Sequence, residues 1–184
     1  MQTMERESGL LVPESPLYLV HSKVEKFDVE ELPQDLDARK RFRPFEVIEG
    51  VGNLIVTGGV TATEGGAGGI WHRLIGGTTV VAYSNANARI GVGDSNTAAA
   101  NGDTDLNAAT NKLRKAMNAT FPTISSRSVT FVSDFTSGEA NYQWREWGVF
   151  NTATAAQGML NHKVEDLGTK AGGTWTLSVT LTFS

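Results

Sequence analysis

The sequence predicts an all-β protein, an antiparallel, jelly-roll-like β-sandwich preceded by an extended N-terminal arm. The clearest evidence is the stretch TWTLSVTLTFS (174–184), in which five apolar residues alternate with threonine and serine. A period of two is typical of a strand with one buried side and one solvent- or partner-facing side. The 20 glycines and 5 prolines among 184 residues favour many turns. About seven or eight short strands are therefore expected.

The chain divides into three predicted parts: a docking arm (1–44), entry strands with a Gly-rich bridge (45–78) and the sandwich body (79–184). The first 50 residues contain 7 Lys and Arg against 11 Asp and Glu, so the whole net charge of −4 lies there. Such a segment gains little from burial and is expected to become ordered on a partner surface. Its stretch LYLVHSKVEKFDVEEL (17–32) is expected to add an edge strand to a neighbour.

The entry part begins with the predicted strands FEVIEG (45–50) and NLIVTGGVT (53–61). The Gly-rich bridge follows, and its central IWHRLI (70–75) favours a short helical turn that groups Trp71, Leu74 and Ile75.

The body is expected to continue with strands, a polar turn at 84–87 and a loop at 94–105. A helical turn is predicted at 104–111, before a strand at 112–121 and a turn at 122–127. The other predicted strands are TVVAY (79–83), ARIGVG (88–93), SVTFVSDFT (128–136), NYQWREWGVFN (141–151) and GMLNHKVEDL (158–167). In NYQWREWGVFN, Trp144 and Trp147 are predicted on opposite faces, as in a strand that is covered on both sides.

Composition excludes several classes of protein. The absence of cysteine excludes disulfides, thiol catalysis and Cys-ligated zinc. The N-terminal residues lack the order of a secretory signal, and no apolar run approaches a membrane span, so we expect neither secretion nor a membrane partner. The acidic balance disfavours nucleic acid as a partner. The one basic run, RKRFR (39–43), follows acidic residues and indicates protein docking or self-pairing.

Motifs for catalysis or cofactors are missing from the sequence. The histidines His21, His72 and His162 stand in no metal-binding motif and are expected to be exposed or partly packed. The glycines of RIGVGD (89–94) are interpreted as relieving crowding where strands bend, because the third glycine and the following helix of a dinucleotide loop are absent. No lysine follows a glycine run as in a phosphate-binding loop, so no cofactor is expected.

Two clusters leave alternatives open. Carboxylates beside aromatic residues could serve glycoside cleavage, although pairing of Glu146 with Arg145 or a neighbour's cation, with the aromatics in a core or interface, is favoured. These residues are Asp134, Glu139, Glu146, Tyr142, Trp144 and Trp147. Acidic and amide side chains of the 94–105 loop could hold calcium, although turn formation is favoured. These are Asp94, Asn96, Asp103 and Asp105.

Several sequence motifs recur together across residues 42–184. They are FRPFEVIEGVGNLIVTGG (42–59), SNANARIGVGDSNTAAA (84–100), TNKLRKAMNATFP (110–122), EANYQWREWGVFN (139–151), GMLNHKVEDLGTK (158–170) and TWTLSVTLTF (174–183). In combination these motifs resemble a family of small, β-rich virion structural proteins of tailed bacteriophages, from which the chain departs by the Gly-rich insert at 64–69. The resemblance implies a non-enzymatic building block of a virion, assembled in the host cytoplasm.

The first functional hypothesis is a tail or fibre/baseplate component, which forms a homo-oligomer and contacts other virion proteins of the same phage. Expected arm contacts are Phe27, Leu32, Arg39, Arg41, Phe42 and Phe45. Trp144, Trp147 and Trp175 are expected as core or subunit-interface anchors. A head-decoration or head-fibre protein is one alternative. A module that binds a host receptor or surface glycan is another, and it requires Trp147 or Tyr142 to face solvent.

Overall fold

The computed structural model of the chain describes residues 18–52, 54–56, 81–152 and 158–183. Within these ranges the protein consists of ten strands and one four-residue helix. The elements are β1 (Tyr18–Phe27), α1 (Leu36–Arg39), β2 (Glu46–Val51), β3 (Leu54–Ile55), β4 (Arg89–Gly93), β5 (Lys112–Ala116), β6 (Thr123–Ser125), β7 (Ser128–Phe135), β8 (Gln143–Phe150), β9 (Met159–Thr169) and β10 (Thr174–Phe183). In this part of the chain no helix is long and apolar enough to cross a membrane.

The strands form two five-stranded sheets that pack face to face. The first sheet has the order β2-β1-β10-β7-β6, and the second has the order β3-β9-β8-β4-β5. Every pairing is antiparallel. The prediction of an all-β antiparallel sandwich is therefore confirmed.

The main core lies between the two sheets. On β10 the alternation works as predicted, because Trp175, Leu177, Val179 and Leu181 are all buried in this core. The ring of Trp144 packs at its centre, with edge-to-face contacts of 4.9 Å to Trp175 and 4.7 Å to Phe135 between ring centroids. Contacts of this geometry stabilise a core beyond the area that they bury.

Strand β8 is covered on both sides, as its sequence predicts. A second apolar cluster joins Phe150 of β8 to Leu106 of the loop between β4 and β5, away from the main core. The placement of the two tryptophans on opposite faces is wrong, because Trp144 and Trp147 both belong to the main core. The register between β8 and β9 shifts between Trp144 and Glu146, and this irregularity changes which face the following residues present.

The structure corrects the extent of the N-terminal arm. Strand β1 is an interior strand of the chain's own first sheet, paired along its length with β10 and on its other side with β2. Its residues Val20 and Val24 are buried in the main core. Residues 18–44 are thus part of the sandwich, and of the predicted arm only 1–17 lie outside the described residues.

The predicted helical turn at 104–111 is also wrong. The backbone N–H groups of Leu106, Asn107 and Ala108 donate to the carboxylates of Asp105 and Glu146. These side-chain acceptors replace the backbone carbonyls that a helix would use.

Other boundaries differ from expectation. The strand predicted at 112–121 ends at Ala116, before a turn in which Thr120 has a φ of 72°. The predicted turn at 122–127 includes the short strand β6, and the described residues 81–83 of TVVAY are not in a strand. Of NLIVTGGVT only Leu54–Ile55 is a described strand, and the IWHRLI turn lies outside the described residues.

Candidate functional site

The connection between β1 and β2, residues 28–45, crosses the outer face of the first sheet; we call it the crossover segment. Its short helix α1 begins after Asp35, whose carboxylate accepts the N–H of Ala38 at 2.7 Å. Leu32 is 2% exposed, and the carbonyl of Glu30 accepts hydrogen bonds from the N–H of Ser137 and the hydroxyl of Thr174. The first half of the crossover segment is therefore packed on its own subunit.

Arg39 joins the crossover segment to the first sheet. Its guanidinium makes a two-pronged contact with the Asp134 carboxylate, including a 2.9 Å hydrogen bond from Nη2 to Oδ1. Thr176 donates to the same carboxylate at 2.7 Å. Phe27, Leu32 and Arg39 were predicted as contacts to a partner, and the structure corrects this, because buried contacts within the chain already engage all three.

The other three predicted contacts lie on the surface. Arg41, Phe42, Arg43 and Phe45 are all exposed, and we call them the Arg/Phe cluster. Phe45 is 66% exposed and Phe42 37%, although both are large apolar side chains. Neither arginine forms an ion pair with any described residue. The Phe45 N–H donates to the Lys26 carbonyl at 2.8 Å, which fixes the cluster at the start of edge strand β2.

The three tryptophans proposed as anchors lie in the core of the subunit. Trp144 and Trp147 have no exposed surface and Trp175 has 4%. The indole N–H of Trp147 donates to Glu165 at 2.6 Å, and that of Trp144 donates to the Ala140 carbonyl. Tyr142 is half-buried, and its hydroxyl donates to the Val92 carbonyl at 3.2 Å. A sugar-stacking role for Trp147 therefore lacks the exposed ring that it requires.

A charged triad of Glu146, His162 and Asp103 lies on the outer side of the second sheet, beneath the loop that joins β4 to β5. The His162 Nε2 is 2.8 Å from Glu146 Oε2, and its Nδ1 is 2.6 Å from Asp103 Oδ2. The side chains of His162 and Glu146 have no exposed surface, and that of Asp103 has 14%. The prediction that the histidines are exposed or partly packed is thus wrong for His162.

The triad holds a cation between two anions. Burial by itself lowers the pKa of His162, but hydrogen bonds to Glu146 and Asp103 and the charges of these carboxylates outweigh it, so the pKa of His162 is raised. Glu146 also accepts the N–H groups of Asn107 and Ala108 at 2.9 and 2.7 Å. Since both ring nitrogens contact carboxylates, the imidazole has no nitrogen left for a substrate. The arrangement fastens the loop to the sheet.

The sequence carried one signal for this triad. Glu146 lies within a strand predicted to be covered on both sides, and a buried carboxylate needs a cation and hydrogen-bond donors. The prediction assigned that cation to Arg145 or a neighbour, whereas the structure supplies His162. Of the other histidines, His21 is half exposed at 3.9 Å from Glu49, and His72 lies outside the described residues.

The three carboxylates considered for glycoside cleavage have separate partners. Asp134 lies on the first sheet and binds Arg39, whereas Glu146 lies on the second sheet and binds His162. Glu139 lies in the turn before β8 and contacts the Lys115 ammonium at 2.5 and 2.6 Å. The structure does not bring them together as a pair in one groove.

The acidic residues of the 94–105 loop are likewise divided among different donors. Asp94 accepts from the Asn111 amide at 2.7 Å, and Asp103 contacts His162. Asp105 contacts Lys112 and Arg114; burial opposes ionisation of Asp105, but these hydrogen bonds prevail and lower its pKa. Asn96 lies on the wall of a surface groove. Among the described residues no group of three acidic or histidine side chains could hold a metal ion.

A second buried basic side chain, Lys170, forms hydrogen bonds to the turn between β7 and β8. Its side chain donates to the Thr136 carbonyl at 2.7 Å and to Asn141 Oδ1 at 2.9 Å. Lys170 is 1% exposed, and burial lowers its pKa to about 8. These bonds connect the end of β9 to residues 136–141.

Comparisons with protein-family models, with curated proteins and with solved structures found no match. The fold, the Arg/Phe cluster and the sequence motifs are therefore the evidence that bears on the class of protein.

Proposed function

We propose that the chain is a non-enzymatic structural component of a tailed-bacteriophage virion, associated with the tail or the fibre/baseplate region. It docks through the Arg/Phe cluster, the exposed part of the region that the sequence marks for docking. The observation that carries the proposal is this cluster, in which two exposed phenylalanines alternate with two arginines that have no ion-pair partner among the described residues.

The composition of the cluster suits a protein interface. Aromatic residues and arginine are enriched where proteins meet, because they combine a large contact area with directed hydrogen bonds. A single exposed apolar side chain is ordinary on a protein surface, but a group of them beside unpaired cations is unusual. Burial of Phe42 and Phe45 against a partner would remove this apolar surface from water.

The phage assignment is supported by where the resembling motifs lie. IGVGDS lies on β4 and the two residues that follow it, EANYQWREWGVFN spans β8, and TWTLSVTLTF is β10. These strands supply Trp144, Trp147 and Trp175 to the core. The motif residues therefore contribute to the core of the sandwich, as expected if the resemblance reflects a shared fold.

The hydrogen bonding of the buried charged side chains supports a non-enzymatic role. The triad of Glu146, His162 and Asp103 and the pair of Asp134 and Arg39 each satisfy their hydrogen bonds within the chain. Side chains whose hydrogen bonds are already made within the chain stabilise the fold, but few of their donors and acceptors remain for a substrate.

The test is to purify virions of the phage whose genome encodes the chain and to identify their proteins by quantitative mass spectrometry. The expected result is that the chain co-purifies in fixed, multiple copies per particle through nuclease and high-salt washes. Presence in the lysate but absence from washed particles would overturn the proposal. A cryo-EM map of the same particles distinguishes a tail or baseplate position from the head-decoration alternative.

A further inference from the structure

We infer that the partner of the Arg/Phe cluster is the acidic segment of residues 5–17 from a second copy of this chain. The inference rests on the proposed function, because it takes the cluster as the assembly surface, and it names the molecule that occupies it.

Charge complementarity is the first argument. Residues 5–17 contain the glutamates Glu5, Glu7 and Glu14 and the single basic residue Arg6. The cluster offers Arg41 and Arg43, which are exposed and form no ion pair within the described part of the chain. Arginine is well suited to binding carboxylates, because its planar guanidinium donates two parallel hydrogen bonds.

Apolar complementarity is the second argument. Between its acidic residues the segment carries the run Leu10-Leu11-Val12. The cluster exposes Phe42 and Phe45 beside its arginines. A short apolar run between Glu7 and Glu14 thus matches a cluster in which Phe42 lies between two arginines and Phe45 follows close by.

The length of the chain argues for a second copy. Tyr18 begins β1, whereas Phe45 contacts Lys26 near the other end of that strand. Eight residues of strand separate Tyr18 from Lys26, a distance of about 27 Å. Val12 lies six residues before Tyr18 and Glu14 four, so even fully extended they reach only about 21 Å and about 14 Å. In their own subunit Val12 and Glu14 therefore fall short of the cluster, whereas Glu5 and Glu7, 13 and 11 residues before Tyr18, are far enough along the chain to reach it. Only a second copy lets Val12 and Glu14 contact the cluster together with Glu5 and Glu7.

The experiment uses full-length chains with exchanged charges and measures molecular mass by analytical ultracentrifugation. One variant carries Arg41→Glu and Arg43→Glu, and the other carries Glu5→Lys, Glu7→Lys and Glu14→Lys. Each variant alone then presents like charges on segment and cluster. We expect the unmodified chain to self-associate and each variant alone to associate at least about tenfold more weakly. An equimolar mixture should associate again, because the basic segment of one variant meets the acidic cluster of the other.

Several results would overturn the inference. The unmodified chain could stay monomeric at every concentration, or the Arg41→Glu/Arg43→Glu variant could associate as well as the unmodified chain. An equimolar mixture that does not associate would overturn it as well, and so would a chain carrying all five substitutions that stays monomeric where the unmodified chain associates. Circular dichroism verifies that the variants are folded, and Phe42→Ser in the full-length chain is a second probe that leaves every charge in place.

This test and the test of the proposed function fail independently. A chain that self-associates in solution but is missing from virions would retain the interface and lose the virion assignment. A chain found in virions whose charge-exchanged mixture does not associate would lose only the partner named here.

Discussion

His162 joins the loop between β4 and β5 to the second sheet through a contact with Asp103 of that loop. Its imidazolium lies between Glu146 and Asp103, and its pKa is raised by them. Because the pKa of His162 is higher in the folded than in the unfolded protein, its charged imidazole stabilises the fold fully at pH values below the unfolded pKa of about 6.5. This stabilisation is lost as the pH rises through the pKa of the folded protein.

The first prediction follows from this loss of stabilisation with rising pH. His162→Gln should lower the free energy of unfolding by about 3 kcal/mol at pH 6, because the buried Glu146 and the partly buried Asp103 lose their cation. The loss should shrink as the pH rises above the pKa of His162 in the folded protein. Urea denaturation across this pH range measures it, and the half-exposed His21 provides a control, since His21→Gln should change little at any pH. A penalty that does not vary with pH would contradict the charged triad.

Lys170 acts in the opposite direction, so the variant must be compared with the unmodified chain at each pH. Burial lowers the pKa of Lys170 to about 8. Its contribution is therefore fully present above the unfolded value of about 10.4 and is lost as the pH falls towards 8. Both proteins contain Lys170, so subtracting their free energies of unfolding at each pH cancels the contribution of Lys170 and leaves that of His162.

Two neighbouring arginines provide the second prediction. Arg39→Met should destabilise the fold by about 3 kcal/mol, because it leaves Asp134 buried without its cation. Arg41→Met should change stability by no more than about 0.5 kcal/mol, because Arg41 is exposed. Chemical denaturation of both variants measures the difference. Equal losses would show that the crossover segment is not fastened to its own subunit in this way.

At the scale of elements, the glycines of β4 make room for the covering loop. A Cβ atom on Gly91 would lie 2.6 Å from the Phe150 ring and 3.2 Å from Leu106, and one on Gly93 would collide with Glu146. The sequence interpretation that these glycines relieve crowding is consistent with these contacts. The crowding comes from side chains of the neighbouring strand β8 and of the loop, which lie over one face of β4.

The third prediction concerns this close approach. Gly91→Ala should destabilise the protein by about 1–3 kcal/mol through overpacking. Gly138→Ala is the matched control, since a Cβ atom there meets no atom within 4 Å. Thermal unfolding of the two variants compares them, and an unchanged melting temperature for Gly91→Ala would contradict the packing of Leu106 on β8.

Strands with strict alternation could be predicted from the sequence, and β1 shows why others could not. β10 exposes its pattern directly, because every second residue from Trp175 to Leu181 is apolar. In β1 the buried face also includes the polar residues Ser22 and Lys26, so the sequence of this segment predicts a polar edge strand and not an interior one. Ser22 binds Glu165, and Lys26 binds Glu46 and lies 4.1 Å from the centroid of the Trp175 ring. These partners are distant in sequence, and local patterns do not reveal them.

The same limit applies to the candidate site. The exposed half of the predicted contacts, Arg41, Phe42 and Phe45, could be found from composition alone. The burial of Leu32 and Arg39 depends on partners such as Asp134, which lies 95 residues from Arg39. The triad likewise joins residues from a loop and two strands, and only the assembled sheets bring them together.

At the scale of the whole molecule, the described residues form a sandwich whose buried charges are paired internally and whose Arg/Phe cluster is exposed. A deletion of residues 1–44 would remove the interior strand β1 and so test folding rather than docking. Substitution of the Arg/Phe cluster leaves the sheets intact and separates the two effects.

The most direct measurement is a competition for incorporation into virions, with the fourth prediction as its expected result. The full-length chain carrying Phe42→Ser and Arg43→Ser is supplied during infection, beside a control carrying Ile124→Ser and Arg127→Ser. The control removes an exposed apolar side chain and an exposed arginine from the opposite edge of the first sheet. Quantitative mass spectrometry compares each variant in purified particles with its amount in the lysate.

Assembly through the Arg/Phe cluster predicts that the Phe42→Ser/Arg43→Ser chain is depleted from particles by about tenfold or more, which corresponds to about 1.4 kcal/mol of lost docking energy. The control chain should enter particles as the unmodified chain does, and both variants should unfold at the same denaturant concentration as the unmodified protein. Equal incorporation of the two variants would contradict assembly through this surface.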